Sequence, residues 1–205
     1  MTKTINMAIG SGLLLAPLLW AQESWHFALQ PEQSNFTVDV GRAGFLKMFG
    51  HDHLVEIRGF AGGVDWHPNE PESSSIRIEV EAASLTVVNE DDEETRAQIQ
   101  ADMETKALDV ENHSGIVFVS EELSLDERGG GEYRGEIRGQ LTLRGVTNAV
   151  EIPLTVSVTE ESLRAQGEFE IKGSDFGIDQ INAAGGSVKT SDDLELTFDL
   201  VGARE

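Results

Sequence analysis

Two histidines, His51 and His53, stand two residues apart in Gly50-His51-Asp52-His53, and they are two of the five in the chain. Apolar segments flank them within Gly44–Phe60. Read as a strand, the period of two puts both imidazoles on the face that carries Val55 and Ile57, with Asp52 on the other. Three roles are open to such a pair. Imidazoles at i and i+2 can share zinc or another divalent ion. They can meet the polar head of a ligand, or they can be hydrogen-bonded structural histidines at a rim. A metal centre needs a third ligand, and His26, His67 and His113 lie far away in the sequence. Catalysis would need an activated nucleophile or a carboxylate of raised pKa nearby. The chain has no G-x-S-x-G, no P-loop and no H-E-x-x-H.

Composition narrows the classes further. There is no cysteine, so disulfides, thiolate chemistry and cysteine metal sites are excluded. A net charge of −22 argues against nucleic acid, whose phosphates need a basic surface, and against docking on anionic membranes. Acidity of this kind keeps a protein soluble, and a monomer or homodimer is expected. The N-terminus reads as a signal peptide over residues 1–21. Lys3 supplies a thin positive region, Met7–Leu19 an apolar stretch too short to span comfortably, and Ala21 a small residue at the cleavage site. The remainder, 22–205, is then expected to be one exported domain with no stable membrane insertion.

The elements that must hold the histidines are almost all strands. Phe36, Val38 and Val40 alternate with polar residues, as do Ile76, Ile78, Val80 and Ala82. Ile116–Ser120 leads to Leu123 and Leu125. Glu132–Arg144 alternates over thirteen residues, with Ile137 and Leu141 on its apolar face. Val150–Val158, Leu163–Ile171 and Leu194–Leu200 repeat the pattern, and Gly173–Asp192 between the last two reads as a long loop. One helix interrupts, expected over Asn89–Leu108. Its acidic first turn, Glu90–Glu94, suits a solvated N-terminus, and its stripe Ile99, Met103 and Ala107 is expected to pack as core.

At least seven amphipathic strands share one interior. A thirteen-residue strand spans roughly 43 Å, which favours an up-and-down barrel over a sandwich. Eight strands would enclose a cavity for one small ligand. Gly135, Gly139 and Gly167 fall on the inward face, where they either leave room for a guest or let long strands coil. An elongated apolar cavity implies an elongated apolar ligand, because each buried methylene is worth about 0.8 kcal/mol. The candidate ligand-binding set is therefore Phe36, Val38, Val40, Phe60, Ile78, Val80, Phe118, Ile137, Leu141 and Phe169 on the walls. His51, His53, Phe176 and Ile178 complete it at the rim.

Gly139-Gln140-Leu141-Thr142-Leu143-Arg144-Gly145-Val146-Thr147 and Ser174-Asp175-Phe176-Gly177-Ile178 resemble the YceI-like family. Ser34–Val38, Gly59-Phe60, Ala83-Ser84-Leu85 and Gly115–Phe118 fit the same order, so the resemblance covers about Trp25–Val201. It implies an all-β fold, an extended lipocalin-like antiparallel barrel of about eight strands with one α-helix. It also implies a periplasmic protein that binds polyisoprenoid or similar lipids, isoprenoid quinones and fatty-acyl amphiphiles among them, with no catalysis and no cofactor. Two departures stand out. His113-Ser114 replaces the family's aromatic-proline pair, and the longer segment at Gly50–His53 is similar to a branch with a GH-D/N-H signature. The alternative reading is a metal-binding protein or metal-dependent enzyme using His51 and His53.

Overall fold

The structure, a computed structural model, describes residues 23–43, 52–183 and 188–205. Five long strands make most of the wall, and three further ones are each broken once by a bend. The broken ones are β1 (Trp25–Leu29) with β2 (Asn35–Ala43), β3 (His53–Ile57) with β4 (Phe60–Trp66), and β5 (Ser75–Glu81) with β6 (Leu85–Val87). The long ones are β7 (Gly115–Gly129), β8 (Glu132–Leu143), β9 (Val146–Val158), β10 (Ser162–Lys172) and β12 (Val188–Arg204), with the two-residue β11 (Asn182–Ala183) against the last.

Pairing closes the barrel in the order β1-β4-β5-β7-β8-β9-β10-β12 and back to β1, all antiparallel. Beyond the bends the same neighbours continue: β12 pairs with β2, β2 with β3, and β3 with β6. The bends interrupt the backbone ladder, and a serine hydroxyl fills the gap at two of them. Ser34 Oγ accepts from Val201 N–H at 3.0 Å and donates to Gln30 C=O at 2.7 Å. Ser84 Oγ accepts from Gly59 N–H at 2.9 Å and donates to Glu81 C=O at 2.7 Å. Each buried polar group thus keeps a partner where the strand turns.

One end of the barrel is shut by aromatic rings. Trp66, 2% exposed, meets Tyr133 edge-on at 5.1 Å between centroids, and Phe27 beside them is wholly buried. Turn chemistry explains the hairpins. Arg144 and Gly145 both take positive φ, 51° and 74°, the form that matches the twist of a two-residue hairpin.

The helix differs from the sequence expectation at both ends. Helix α1 runs Glu93–Asp102, and a wider π-turn continues it over Met103–Ala107. It starts late because Asp92, not Asn89, caps it, with Oδ1 accepting from Thr95 N–H at 2.8 Å. Asn89 is occupied on the sheet instead, accepting from Leu54 N–H at 2.8 Å and donating to Asp52 C=O at 2.6 Å. The segment read as loop up to Asp192 also shortens. A 3-10 turn at Gly173–Phe176 opens it, and β12 begins already at Val188 with an irregular register between Thr190 and Leu194.

Helix α1 seals the edge that β6 leaves open, because β7 starts too late to reach it. Gln100 acts there as a stand-in strand: its Oε1 accepts from Val87 N–H at 3.0 Å and its Nε2 donates to Leu85 C=O at 2.8 Å. Gln100→Ala removes both partners from a half-buried edge, and a loss of about 1–3 kcal/mol is expected. Hydrogen exchange at the Val87 amide should accelerate by the corresponding factor, roughly fivefold to a hundredfold. Unchanged protection there would show that the helix is held by something else.

Candidate functional site

Within the barrel lies a chamber of about 750 Å³, inside the range of pockets that hold whole small ligands. Its walls are Val, Ile, Leu and Phe side chains from every strand of the ring. The alternation of each strand produces this: inward positions such as Ile137, Leu154 and Leu196 are apolar, while Arg138, Glu151 and Glu195 face water. Polar lining groups gather only at the end opposite Trp66, where β2, β3, α1 and the 173–192 segment meet.

Phe36, Val38, Val40, Ile78, Val80, Phe118, Ile137, Leu141, Phe169 and Ile178 all border the chamber, and so does half-buried His53. His51 lies outside the described residues. Phe60 and Phe176 do not border it. Phe60 stands behind Phe36, its ring edge-on at 6.3 Å, and Phe176 is 2% exposed in the packed wall beneath its own turn. His53 sits on the same face as Val55 and Ile57, with Asp39 close by across β2. Burial holds the Asp39 carboxyl above the ordinary aspartate value, Asp52 adding to the rise and His53 opposing it. Among the described residues no group of three or more histidines and carboxylates is placed to hold a metal ion.

The helix stripe Ile99, Met103 and Ala107 packs against the hydrophobic core as expected, and it also borders the chamber. Both follow from its place: α1 fills a gap in the ring, so its apolar side replaces a missing stretch of strand. Sequence reading also passed over Gln98, Asp102, Asp179, Gln180, Lys189 and Thr190 at the rim. A usable signal existed for two of them, since Gln98 and Asp102 are four apart beside the Ile99 stripe. The others lay in what looked like loop.

The inward glycines resolve as well. A Cβ on Gly139 would stand 2.7 Å from the Phe118 ring, and one on Gly167 would stand 2.6 Å from that of Phe198. Closer still would be the carbonyl oxygens of Val119 and Pro153, each at 2.4 Å, so these positions let neighbouring strands and an aromatic ring approach closely, and they do not themselves border the chamber.

Around the rim, the hairpin after β8 and the turn after β10 are tied together. The Arg144 guanidinium donates to Gly177 C=O, and Asn148 Nδ2 to Asp175 C=O at 2.8 Å. Asp192 accepts from both N–H and Oγ of Ser174 at 2.8 Å, which holds its carboxyl below the ordinary aspartate value. These contacts seat Phe176 and present Ile178 to the chamber.

A closed eight-stranded antiparallel barrel around an apolar chamber, with its polar groups at one end, is of the lipocalin-like class. Residues 27–202 match the YceI-like domain, and the chain belongs to that family. The two stretches joined by Arg144 and Asn148 are the ones that carried the resemblance. Solved structures agree in fold. Burkholderia cenocepacia BcnA superposes with a TM-score of 0.64 at 19% identity, over 84% of this chain and 98% of its own. A polyisoprenoid binding domain from Saccharophagus degradans, implicated in plant cell wall breakdown, gives 0.62 at 13% identity, over 87% and 98%. The Campylobacter jejuni YCEI protein gives 0.55 at 16%, over 74% and 84%. A comparison with curated proteins returned no match.

Proposed function

We propose that this protein is an exported carrier that holds one elongated apolar ligand, a polyisoprenoid, isoprenoid quinone or fatty-acyl amphiphile, inside the barrel. The observation that carries the reading is the chamber of about 750 Å³, apolar along its length and polar only at one end. An apolar surface of that extent in contact with water is costly, and an acyl or prenyl chain removes the cost at about 0.8 kcal/mol per methylene. The Saccharophagus degradans neighbour, named as a polyisoprenoid binding domain, supports the same class of ligand. The candidate wall residues, with His53 and Ile178 at the rim, make the contacts, and no chemistry is asked of them. Export rests on the Met7–Leu19 segment, with cleavage after Ala21 leaving 22–205 to fold in the periplasm or outside the cell. Among the described residues no helix is long and apolar enough to cross a membrane.

Native mass spectrometry of gently purified exported protein tests the reading. A chain beginning at Gln22 that carries a noncovalent apolar adduct is the expected result. Empty protein that also fails to take up an added isoprenoid quinone or fatty-acid amide would overturn it.

A further inference from the structure

We propose that the mouth of the chamber admits amphiphiles with a neutral or cationic head and discriminates against anionic heads. The inference rests on the reading that the chamber holds an apolar chain, and adds to it the sign of the head.

A long ligand can lie in this chamber in one sense only. Its far end is closed by Trp66 and bordered there by Leu29 and Leu125, and no charged side chain lines it. The head must stay at the polar end. There the described lining side chains include four carboxylates, Glu90, Asp102, Asp179 and Asp192, against one ammonium, Lys189. Asp192 is kept ionised by its two bonds from Ser174. Asp102 is paired with Lys106 at 2.8 Å, Arg96 stands beside Glu90 through its bond to the Glu90 carbonyl, and the Lys172 that faces Asp192 is itself paired with Asp193, so among these described groups five carboxylates stand against four cations. The whole chain, at −22, adds a field of the same sign. A carboxylate or pyrophosphate head seated here would stand among like charges, within the ~8 Å over which physiological salt fails to screen them. A hydroxyl, amide or ammonium head would instead bring N–H or O–H donors to carboxylate acceptors, the stronger class of hydrogen bond.

Three probes with one tail separate the head from the chain: octadecan-1-ol, octadecylamine and stearate, each displacing the neutral fluorophore N-phenyl-1-naphthylamine from the mature protein at neutral pH. The alcohol and the amine are expected to displace it comparably, and stearate roughly tenfold more weakly, the factor that corresponds to about 1.4 kcal/mol. High salt should narrow the gap, as should the Glu90→Gln/Asp179→Asn variant, to roughly threefold. Stearate binding as tightly as the alcohol, or a gap unmoved by both salt and the variant, overturns the inference while leaving the carrier reading intact. Failure of the fluorophore and all three probes to bind overturns the carrier reading and this inference with it.

Discussion

Gly135→Ala is expected to destabilise the barrel by about 3 kcal/mol or more. Gly135 sits in β8 opposite Leu125, where β7 and β8 pair along most of their length. A Cβ built there would stand 1.8 Å from the Ser124 carbonyl oxygen and 2.8 Å from its carbon. Both are backbone atoms, so no rotamer change relieves the overlap and the strands themselves must separate. Separation breaks ladder bonds on both sides, because β8 also pairs with β9 through Gly135 and Leu154. Gly115→Ala in β7 is the control: nothing lies within 4 Å of its Cβ, and a change within about 0.5 kcal/mol is expected. Urea unfolding of both variants makes the measurement. A mild effect at Gly135 would mean that the β7–β8 crossing is looser than its register suggests.

That glycine also shows where sequence reading stops. The inward position of Gly135 was legible from the alternation of Tyr133, Ile137 and Leu141, because a strand's period is local. Whether it left space or admitted a close neighbour was not, since the answer is the carbonyl of Ser124 on another strand. The same limit divides the rest of the chain. The wall residues other than Phe60 followed from parity alone, and so did the inward face of His53. The rim did not. Lys189 and Thr190 belong to β12, but Ser191, Asp192 and Asp193 break the apolar alternation and a register irregularity falls there, so the strand's first turn of pattern reads as loop. Asn89 and Gln100 were equally hidden. Asn89 looked like a helix cap and Gln100 like an ordinary helix residue, yet Asn89 bonds to β3 and Gln100 to the β6 edge, contacts set by chain segments brought from a distance. The ring of eight likewise became countable only once the bends at Ser34, Gly59 and Ser84 joined short strands into long ones.

Filling the chamber should weaken binding a hundredfold or more while sparing the fold, and Val150→Trp/Ala165→Trp is the variant expected to do it. Val150 on β9 and Ala165 on β10 both border the chamber and are only half-buried, so added atoms project into open volume. Neither ring meets the dense packing that makes core enlargement costly elsewhere, and a stability change under about 2 kcal/mol is expected. The ligand fares differently. Excluding about four methylenes from the chamber forfeits roughly 3 kcal/mol, a loss of a hundredfold or more in affinity. Thr155→Trp/Ser157→Trp, at exposed positions on the outer face of β9, supplies the comparison and should leave binding unchanged. Titration of N-phenyl-1-naphthylamine, beside thermal unfolding of each variant, reads both quantities. Equal affinity in the filled and unfilled barrels would place the ligand outside the chamber and remove the basis of the carrier reading. A hundredfold loss with the fold intact would instead tie the ligand to the inner wall itself: the apolar face of each strand would then serve folding at its buried ends and recognition along the middle.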